Sequence, residues 1–110
     1  MFEYSTYDLD GNLIKRGRPH NIDNFTGIIF RHNTNKMSHF KNGKLHRLYG
    51  PAVEWLGGTK EWWFEGKIHR VGGPAIESYN GFEDWYVDGK EVTKEQHDLL
   101  TDIMKLKALI

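Results

Sequence analysis

The chain has no cysteine among its 110 residues, so it can form neither a disulfide nor a thiolate metal site, and it carries no thiol nucleophile. It also lacks a long apolar run, since no stretch approaches the ~20 apolar residues that a membrane-spanning helix needs. Residues 1–8 contain neither a basic segment nor an apolar one, which is unlike a secretory signal. We therefore expect a soluble cytoplasmic protein without a cofactor.

Net charge is absent as well, because fifteen Lys and Arg residues balance fifteen Asp and Glu residues. Without an overall field, nucleic acids and anionic membranes are not the expected partners. Hydrophobic residues make up only 38% of the chain, yet fifteen residues are aromatic and twelve are glycine. This composition predicts a single thin domain built on sheet, in which aromatic rings supply most of the buried area.

One stretch occurs twice. Placing Gly43 on Gly66 gives a 23-residue period with ten identical pairs, among them the His-Arg and Gly-Pro-Ala segments. We read 1–110 as one domain with the following parts: an N-terminal β segment (1–16), a degenerate repeat (17–42), two clear repeats (43–65 and 66–88), a partial repeat (89–93) and a C-terminal helix (94–110).

Each repeat contains two runs rich in aromatic and branched residues, which predict two strands. Turn dipeptides lie within the repeats, at Gly57-Gly58 and Asn80-Gly81, and between them, at Glu65-Gly66 and Asp88-Gly89. Such dipeptides are typical of tight hairpins. The predicted fold class is mainly β, an antiparallel meander of ~23-residue hairpin repeats in a single-layer sheet with a C-terminal capping helix. Strand order should follow chain order.

The C-terminal segment predicts an amphipathic helix. Thr93 and Gln96 have the spacing of a capping box, in which each side chain bonds the other residue's backbone amide. The apolar residues after them fall at helical spacing: Leu99, Leu100, Ile103, Met104, Leu106 and Ile110. We expect this stripe to cover the sheet, and the alternative is a homodimer or a groove for a partner.

The spacing Trp62-x-x-x-Gly66-Lys-x-His69 resembles the MORN repeat and its diverged variants. The segment His-Arg-x-x-Gly-Pro-Ala, at 46–52 and 69–75, is similar to repeats in accessory proteins of tailed bacteriophages and large viruses. The resemblance implies arrays of antiparallel hairpins used as interaction and assembly surfaces, with membrane association in some members. It implies no catalytic residues.

The recurring His20, His46 and His69 are expected to bond backbone groups at the turn before Gly-Pro. Neighbouring strands lie ~4.8 Å apart, which is too far for a row of histidines to share one metal ion, so we expect no metal. Arg47 and Arg70 each precede a glutamate by seven residues, which predicts an ion pair within each repeat. The alternative is a basic stripe that binds phosphates.

Alternation along the strands predicts that Trp63 and Tyr86, together with Trp55, form an exposed aromatic surface. The alternative is that the N-terminal segment wraps over that face. With Tyr79, Arg47 and Arg70, these rings make up the candidate protein-binding residues. No Gly-x-Ser-x-Gly elbow or phosphate-binding loop occurs, so we do not expect an enzyme.

The functional hypothesis is a non-enzymatic protein-binding module. The resemblance makes it a bacteriophage accessory protein that binds a host protein in the host cytoplasm and modulates or inhibits it, with a defence component as the favoured target. The alternatives are a membrane-associated or scaffolding MORN-like assembly protein, and a nucleic-acid-binding protein.

Overall fold

A computed structural model describes residues 3–108, which form short strands, one 3₁₀ turn (Ile22–Asn24) and one α-helix, α1 (Lys94–Ala108). The strands are β1 (Tyr4–Tyr7), β2 (Leu13–Arg16), β3 (Gly27–Arg31), β4 (Lys36–Lys41), β5 (Lys44–Leu45), β6 (Val53–Trp55), β7 (Lys60–Glu61), β8 (Trp63–Phe64), β9 (Lys67–Ile68), β10 (Ile76–Glu77), β11 (Glu83–Val87) and β12 (Lys90–Val92).

The main sheet is antiparallel, with the order β12-β11-β10-β7-β6-β4-β3-β1-β2 and with β5 paired to the end of β4. The predicted fold class is therefore confirmed. Strand order follows the chain from β3 onward, but the prediction is wrong at the N-terminus, where β1 lies between β3 and β2. The physical reason is that the long connection 17–26 lets the chain return beside β1, which bonds strands on both sides.

The repeat is visible in the backbone of the turns between units. Asn42, Glu65 and Asp88 have φ angles of 49°, 50° and 49°, and the glycine after each also has a positive φ. Two consecutive residues with positive φ are the requirement of the tight hairpin whose twist matches that of its strands. The predicted hairpins between units are thus confirmed, and the first of them, at Asn42, belongs to the degenerate repeat.

Each repeat contains more strands than the two predicted. In the 43–65 repeat, β5 to β8 are four short segments, because the chain leaves the main sheet at Gly50-Pro51 and again at Trp62. The Trp62 N–H donates to the Ala75 carbonyl, and the Trp62 carbonyl accepts from His69, so this residue links the main sheet to the separate β8-β9 hairpin.

The protein is thin, only 20 Å along its shortest axis. The fully buried apolar side chains are small, with Ala52 and Ala75 at 0% exposure and Val53 at 1%. Hydroxyl and imidazole groups share this interior, including Ser5, Thr6 and His97. Most of the aromatic rings are half-buried at the two faces of the sheet, so they flank the interior and do not fill it.

Helix α1 begins with the predicted capping box: Thr93 Oγ1 accepts from the Gln96 N–H, and Gln96 Oε1 accepts from the Thr93 N–H. Its buried residues are His97 and Thr101, which pack at the end of the sheet near β11. The expectation that the apolar stripe covers the sheet is wrong, because the following side chains are exposed: Leu99, Leu100, Ile103 and Leu106.

Only Met104 of the predicted stripe is half-buried, and Ile110 lies outside the described residues. The polar anchors explain this orientation: His97 Nε2 donates to the Arg70 carbonyl, and the His97 ring packs edge-on against Trp85. Within residues 3–108, no helix is long and apolar enough to cross a membrane.

His39 gives the fold a testable pH dependence. It lies on β4 at 7% exposure, and its Nδ1 is buried without a hydrogen-bond partner among the described residues. Burial, together with the nearby positive charge of Arg47, lowers the pKa of His39 below its ordinary value of 6.5. The folded protein therefore keeps His39 neutral at a pH where the unfolded chain takes up the proton.

We predict that the free energy of unfolding falls as the pH drops through the range in which the unfolded chain protonates His39 and the folded protein does not. His39→Phe should remove part of this loss of stability. Urea denaturation at about pH 7.5 and about pH 5.5 measures the effect. Relative to the wild type, the free energy of unfolding of the His39→Phe variant should be higher at the lower pH than at the higher pH. The His20→Phe variant, which is changed at an exposed position, should show no such difference. An equal difference at both pH values would contradict this account.

Candidate protein-binding surface

The repeated histidines fix the turn that ends each repeat. His46 Nδ1 accepts a hydrogen bond from the Glu65 N–H at 3.0 Å, and His69 Nδ1 accepts from the Asp88 N–H at the same distance. The expectation that each ring bonds a backbone group is confirmed for His46 and His69, but the group lies in the turn at the end of the same repeat and not in the turn before Gly-Pro. For the His20 ring, no such bond is found among residues 3–108. Among residues 3–108, no three His, Asp or Glu side chains are grouped where they could hold a metal ion.

The repeated arginines close a loop within each repeat. Arg47 Nη1 donates to the Pro51 carbonyl at 3.1 Å and to Glu54 Oε1 at 3.2 Å. Arg70 makes the same two bonds, at 3.1 Å to Pro74 and 2.7 Å to Glu77. The predicted ion pairs are confirmed. Each arginine charge is thus offset within its own repeat, which disfavours the alternative of a basic stripe for phosphates.

The backbone beside these arginines leaves little room for a side chain. A Cβ atom added to Gly73 would lie 2.9 Å from the Arg70 guanidinium, and one added to Gly50 would lie 3.2 Å from that of Arg47. The guanidinium groups therefore rest directly on the Gly-Pro backbone. This contact accounts for the joint repetition of arginine and of glycine three residues later.

An imidazole or indole side chain recurs every 23 residues on one face of the sheet, at His39, Trp62 and Trp85. The Arg70 guanidinium carbon lies 3.7 Å from the centre of the Trp62 ring. No arginine follows Trp85 at the corresponding distance in the sequence. There, His97 of α1 covers the ring, with the two ring centres 4.8 Å apart. The helix thus occupies the place that a further repeat would fill.

Beside this stack lies a groove of about 520 Å³ between the Arg-Gly-Pro loops and α1, which we call the helix-side groove. It is lined mainly by Leu48, Trp62, Phe64, Val71 and Met104, and by the two arginines. Leu48 is 64% exposed and Phe64 45% exposed. The groove opens beside the exposed stripe of α1, because Leu100 and Ile103 are on the helix turn that carries Met104.

Two rings of the predicted aromatic surface, Trp55 and Tyr86, lie on the opposite face. Glu54 and Trp55 are consecutive in β6, so the arginine bound to Glu54 and the Trp55 ring point to opposite sides of the sheet. Trp55, Trp63 and Tyr86 are half-buried, and each has a polar partner. The Lys36 ammonium lies 5.2 Å from the centre of the Trp55 ring. Trp63 Nε1 donates to Glu61 at 2.8 Å.

Tyr86 is similarly engaged. Its hydroxyl donates to Glu91 Oε2 at 2.9 Å, and this bond, with the nearby carboxylates, raises the pKa of Tyr86 above its ordinary value. The N-terminal strands extend the sheet sideways, and the connection 17–26 lies over the neighbouring part of this face, beside Arg31 and Lys36, so the wrapping alternative does not hold at Trp55 and Tyr86. The three rings remain partly accessible, although their polar edges are already bonded.

The six candidate residues therefore do not form one site. Arg47, Arg70 and Trp63 border the helix-side groove. Trp55 and Tyr86 lie on the other face, and Tyr79 is 76% exposed in the turn between β10 and β11.

Sequence reasoning missed the apolar members of the groove, Leu48 and Val71. They occupy the same repeat position, directly after the His-Arg pair, and the recurrence of an apolar residue at that position was the available signal.

Comparison with protein-family models, with curated proteins and with solved structures finds no match. The resemblance to MORN repeats is thus still a prediction from the repeat pattern.

The stack of Arg70 on Trp62 makes a testable contribution to stability. We predict that Arg70→Ala lowers the free energy of unfolding by about 2 kcal/mol, because it removes a guanidinium–ring stack, a carbonyl bond and an ion pair. Arg47→Ala should cost about 1 kcal/mol, since the residue that corresponds to Trp62 in the preceding repeat is His39. Denaturant titration measures both losses. An equal loss from Arg70→Ala and from Glu77→Gln would show that the stack contributes nothing.

Proposed function

We propose that this chain is a protein-binding module and that the helix-side groove, together with the exposed stripe of α1, is its binding surface. The observation that carries the proposal is the grouping of exposed apolar side chains around a concave surface. Leu48, Phe64 and Val71 project from the repeats, while Leu100 and Ile103 project from the neighbouring helix. A contiguous apolar surface with polar edges is typical of protein interfaces.

The fold supports this proposal, because the groove is built from rigid parts. Trp62 and the two arginines are fixed by the stack and by bonds to proline carbonyls. Aromatic and arginine side chains dominate the binding energy of many interfaces. The surrounding Leu48 and Val71 are exposed in the unbound protein, and they would exclude water once covered.

The shape and charge of the surface favour an amphipathic helix as the bound segment. Such a helix would lie beside α1, with its apolar face on Leu48, Val71 and Ile103. Lys107 is exposed and, by helix geometry, lies on the same side of α1 as Ile103. Acidic residues along the edge of the partner helix would complement this lysine.

The narrower proposal is a bacteriophage accessory protein that acts in the host cytoplasm by binding a host protein and modulating or inhibiting it, with a defence component as the favoured target. The resemblance of the His-Arg-x-x-Gly-Pro-Ala segments to phage repeats supports it. A binding role without catalysis agrees with the groove, whose arginines are held by Glu54 and Glu77.

A paired set of variants tests the binding surface. Leu48→Asp combined with Val71→Asp places two acids in the groove, whereas Leu13→Asp combined with Ile14→Asp makes the same change on exposed β2. We expect the groove variant to lose partner capture from bacterial lysate by about tenfold or more, with the thermal midpoint within about 3 °C of the wild type. The β2 variant should capture the partner like the wild type.

Quantitative mass spectrometry identifies the captured protein, and titration with the purified partner checks direct binding. The proposal is overturned if the groove variant captures every protein that the β2 variant captures. It is also overturned if light scattering shows a homodimer that the groove variant dissociates, since the surface would then serve a second copy of this chain.

A further inference from the structure

A second groove lies on the opposite face of the sheet, over the N-terminal half of the domain. Three of its lining residues, Tyr4, Arg31 and Lys36, belong to a row of directly paired residues across four neighbouring strands. Tyr4 of β1 pairs with Arg31 of β3, Arg31 pairs with Lys36 of β4, and Lys36 pairs with Trp55 of β6. Directly paired residues share a face, so two cations lie side by side between two aromatic rings.

Further positive charge comes from the connection between β2 and β3. Arg18 and His20 line this groove, together with Arg31 and Lys36, and none of its described lining residues is acidic. We call it the cationic groove. Its volume is about 510 Å³, which is within the range of ligand pockets. The concentration of cations stands out in a chain whose net charge is zero.

Two of these cations are held in place without being neutralised. The Arg18 guanidinium lies 4.3 Å from the centre of the Tyr4 ring, and Arg18 Nη2 donates to the Tyr4 hydroxyl at 2.8 Å. Lys36 lies over Trp55. Neither cation forms an ion pair with another of residues 3–108, whereas Arg31 is paired with Glu3 at 3.0 Å. The aromatic rings therefore position charges that remain free to bind an anion.

The pairing of Arg31 with Lys36 also has a cost, because like charges directly opposite each other destabilise a sheet. On the other face, by contrast, Lys60 pairs with Glu54 on one side and with Glu77 on the other. A bound anion would offset the repulsion between Arg31 and Lys36.

We propose that the cationic groove is a binding site for a nucleotide carrying two or more phosphate groups. Arg18 and Lys36 bind the phosphates, with His20 and the free edge of Arg31 beside them. The apolar part of the groove, formed by Ile22, Ile29 and Phe40, takes the base. This site is independent of the helix-side groove, since it uses the other face of the sheet and other residues.

Calorimetric titration of the full chain in magnesium-free buffer at low salt tests the assignment, with ADP, pyrophosphate and adenosine as probes. We expect ADP to bind more tightly than pyrophosphate and adenosine to give no measurable heat. Raising the salt from about 50 mM to about 200 mM should weaken ADP binding several-fold, because the contacts are ionic.

Lys36→Met removes the charge and keeps the side-chain stem over Trp55, and Lys60→Met makes the same change on the opposite face. We expect Lys36→Met to weaken ADP binding by about tenfold or more, while Lys60→Met leaves it unchanged. Without ligand, Lys36→Met should raise the thermal midpoint by about 1–4 °C by relieving repulsion, whereas Lys60→Met should lower it.

The absence of binding by ADP and pyrophosphate at millimolar concentration overturns the proposal. Equal affinities of the Lys36→Met and Lys60→Met variants for ADP overturn it as well. Binding of an acidic peptide, but of no phosphate probe, would instead assign the groove to a protein partner. None of these outcomes bears on the helix-side groove, whose variants leave the cationic groove intact.

Discussion

The structure depends on the way in which each short hairpin is bonded to the next one along the chain. Gly66 N–H donates to the Leu45 carbonyl and Gly89 N–H to the Ile68 carbonyl, and the imidazoles of His46 and His69 accept from the preceding residue of the same turns. These bonds require a turn with two positive φ angles once per 23 residues. If one residue were inserted into or deleted from a repeat, the hydrogen bonds to its turn would be lost. The 23-residue spacing is therefore fixed by hydrogen bonding and not by core volume.

In a protein that extends only 20 Å along its shortest axis, both faces of the sheet lie near solvent. Helix α1 covers only the ring of Trp85 among residues 3–108, and polar groups cover other rings: Arg70 covers Trp62, Glu61 bonds Trp63, and Glu91 bonds Tyr86. The repeats thus stabilise half-buried rings with charges. Apolar side chains without such cover are found at turns, as at Leu56 and Phe82, and at the helix-side groove, where Leu48 and Val71 lie beside α1.

The repeat made much of the fold predictable, because contacts that recur leave a recurring mark in the sequence. The turn at Glu65-Gly66 and the pairing of Arg47 with Glu54 could be read from spacing alone. The position of β1 and the orientation of α1 could not, since each is set by contacts that occur once. For α1 these are the bond from His97 to the Arg70 carbonyl and its contact with Trp85, which outweigh the apolar stripe. For the same reason, the cationic groove brings together residues without a common spacing.

The two faces of the sheet differ in what their charges can do. On the face that carries the helix-side groove, Lys60 lies between Glu54 and Glu77. Arg47 and Arg70 are each paired with a carboxylate of their own repeat, so little charge remains for a ligand. On the other face, charge is separated along the sheet, with cations over β1 to β4 and carboxylates around Tyr86. A neutral chain can therefore present an apolar surface on one side and a local positive field on the other. Glu54 and Trp55 are consecutive in β6 and point to opposite faces, so this one short strand fixes the register of the side chains on both faces of the sheet.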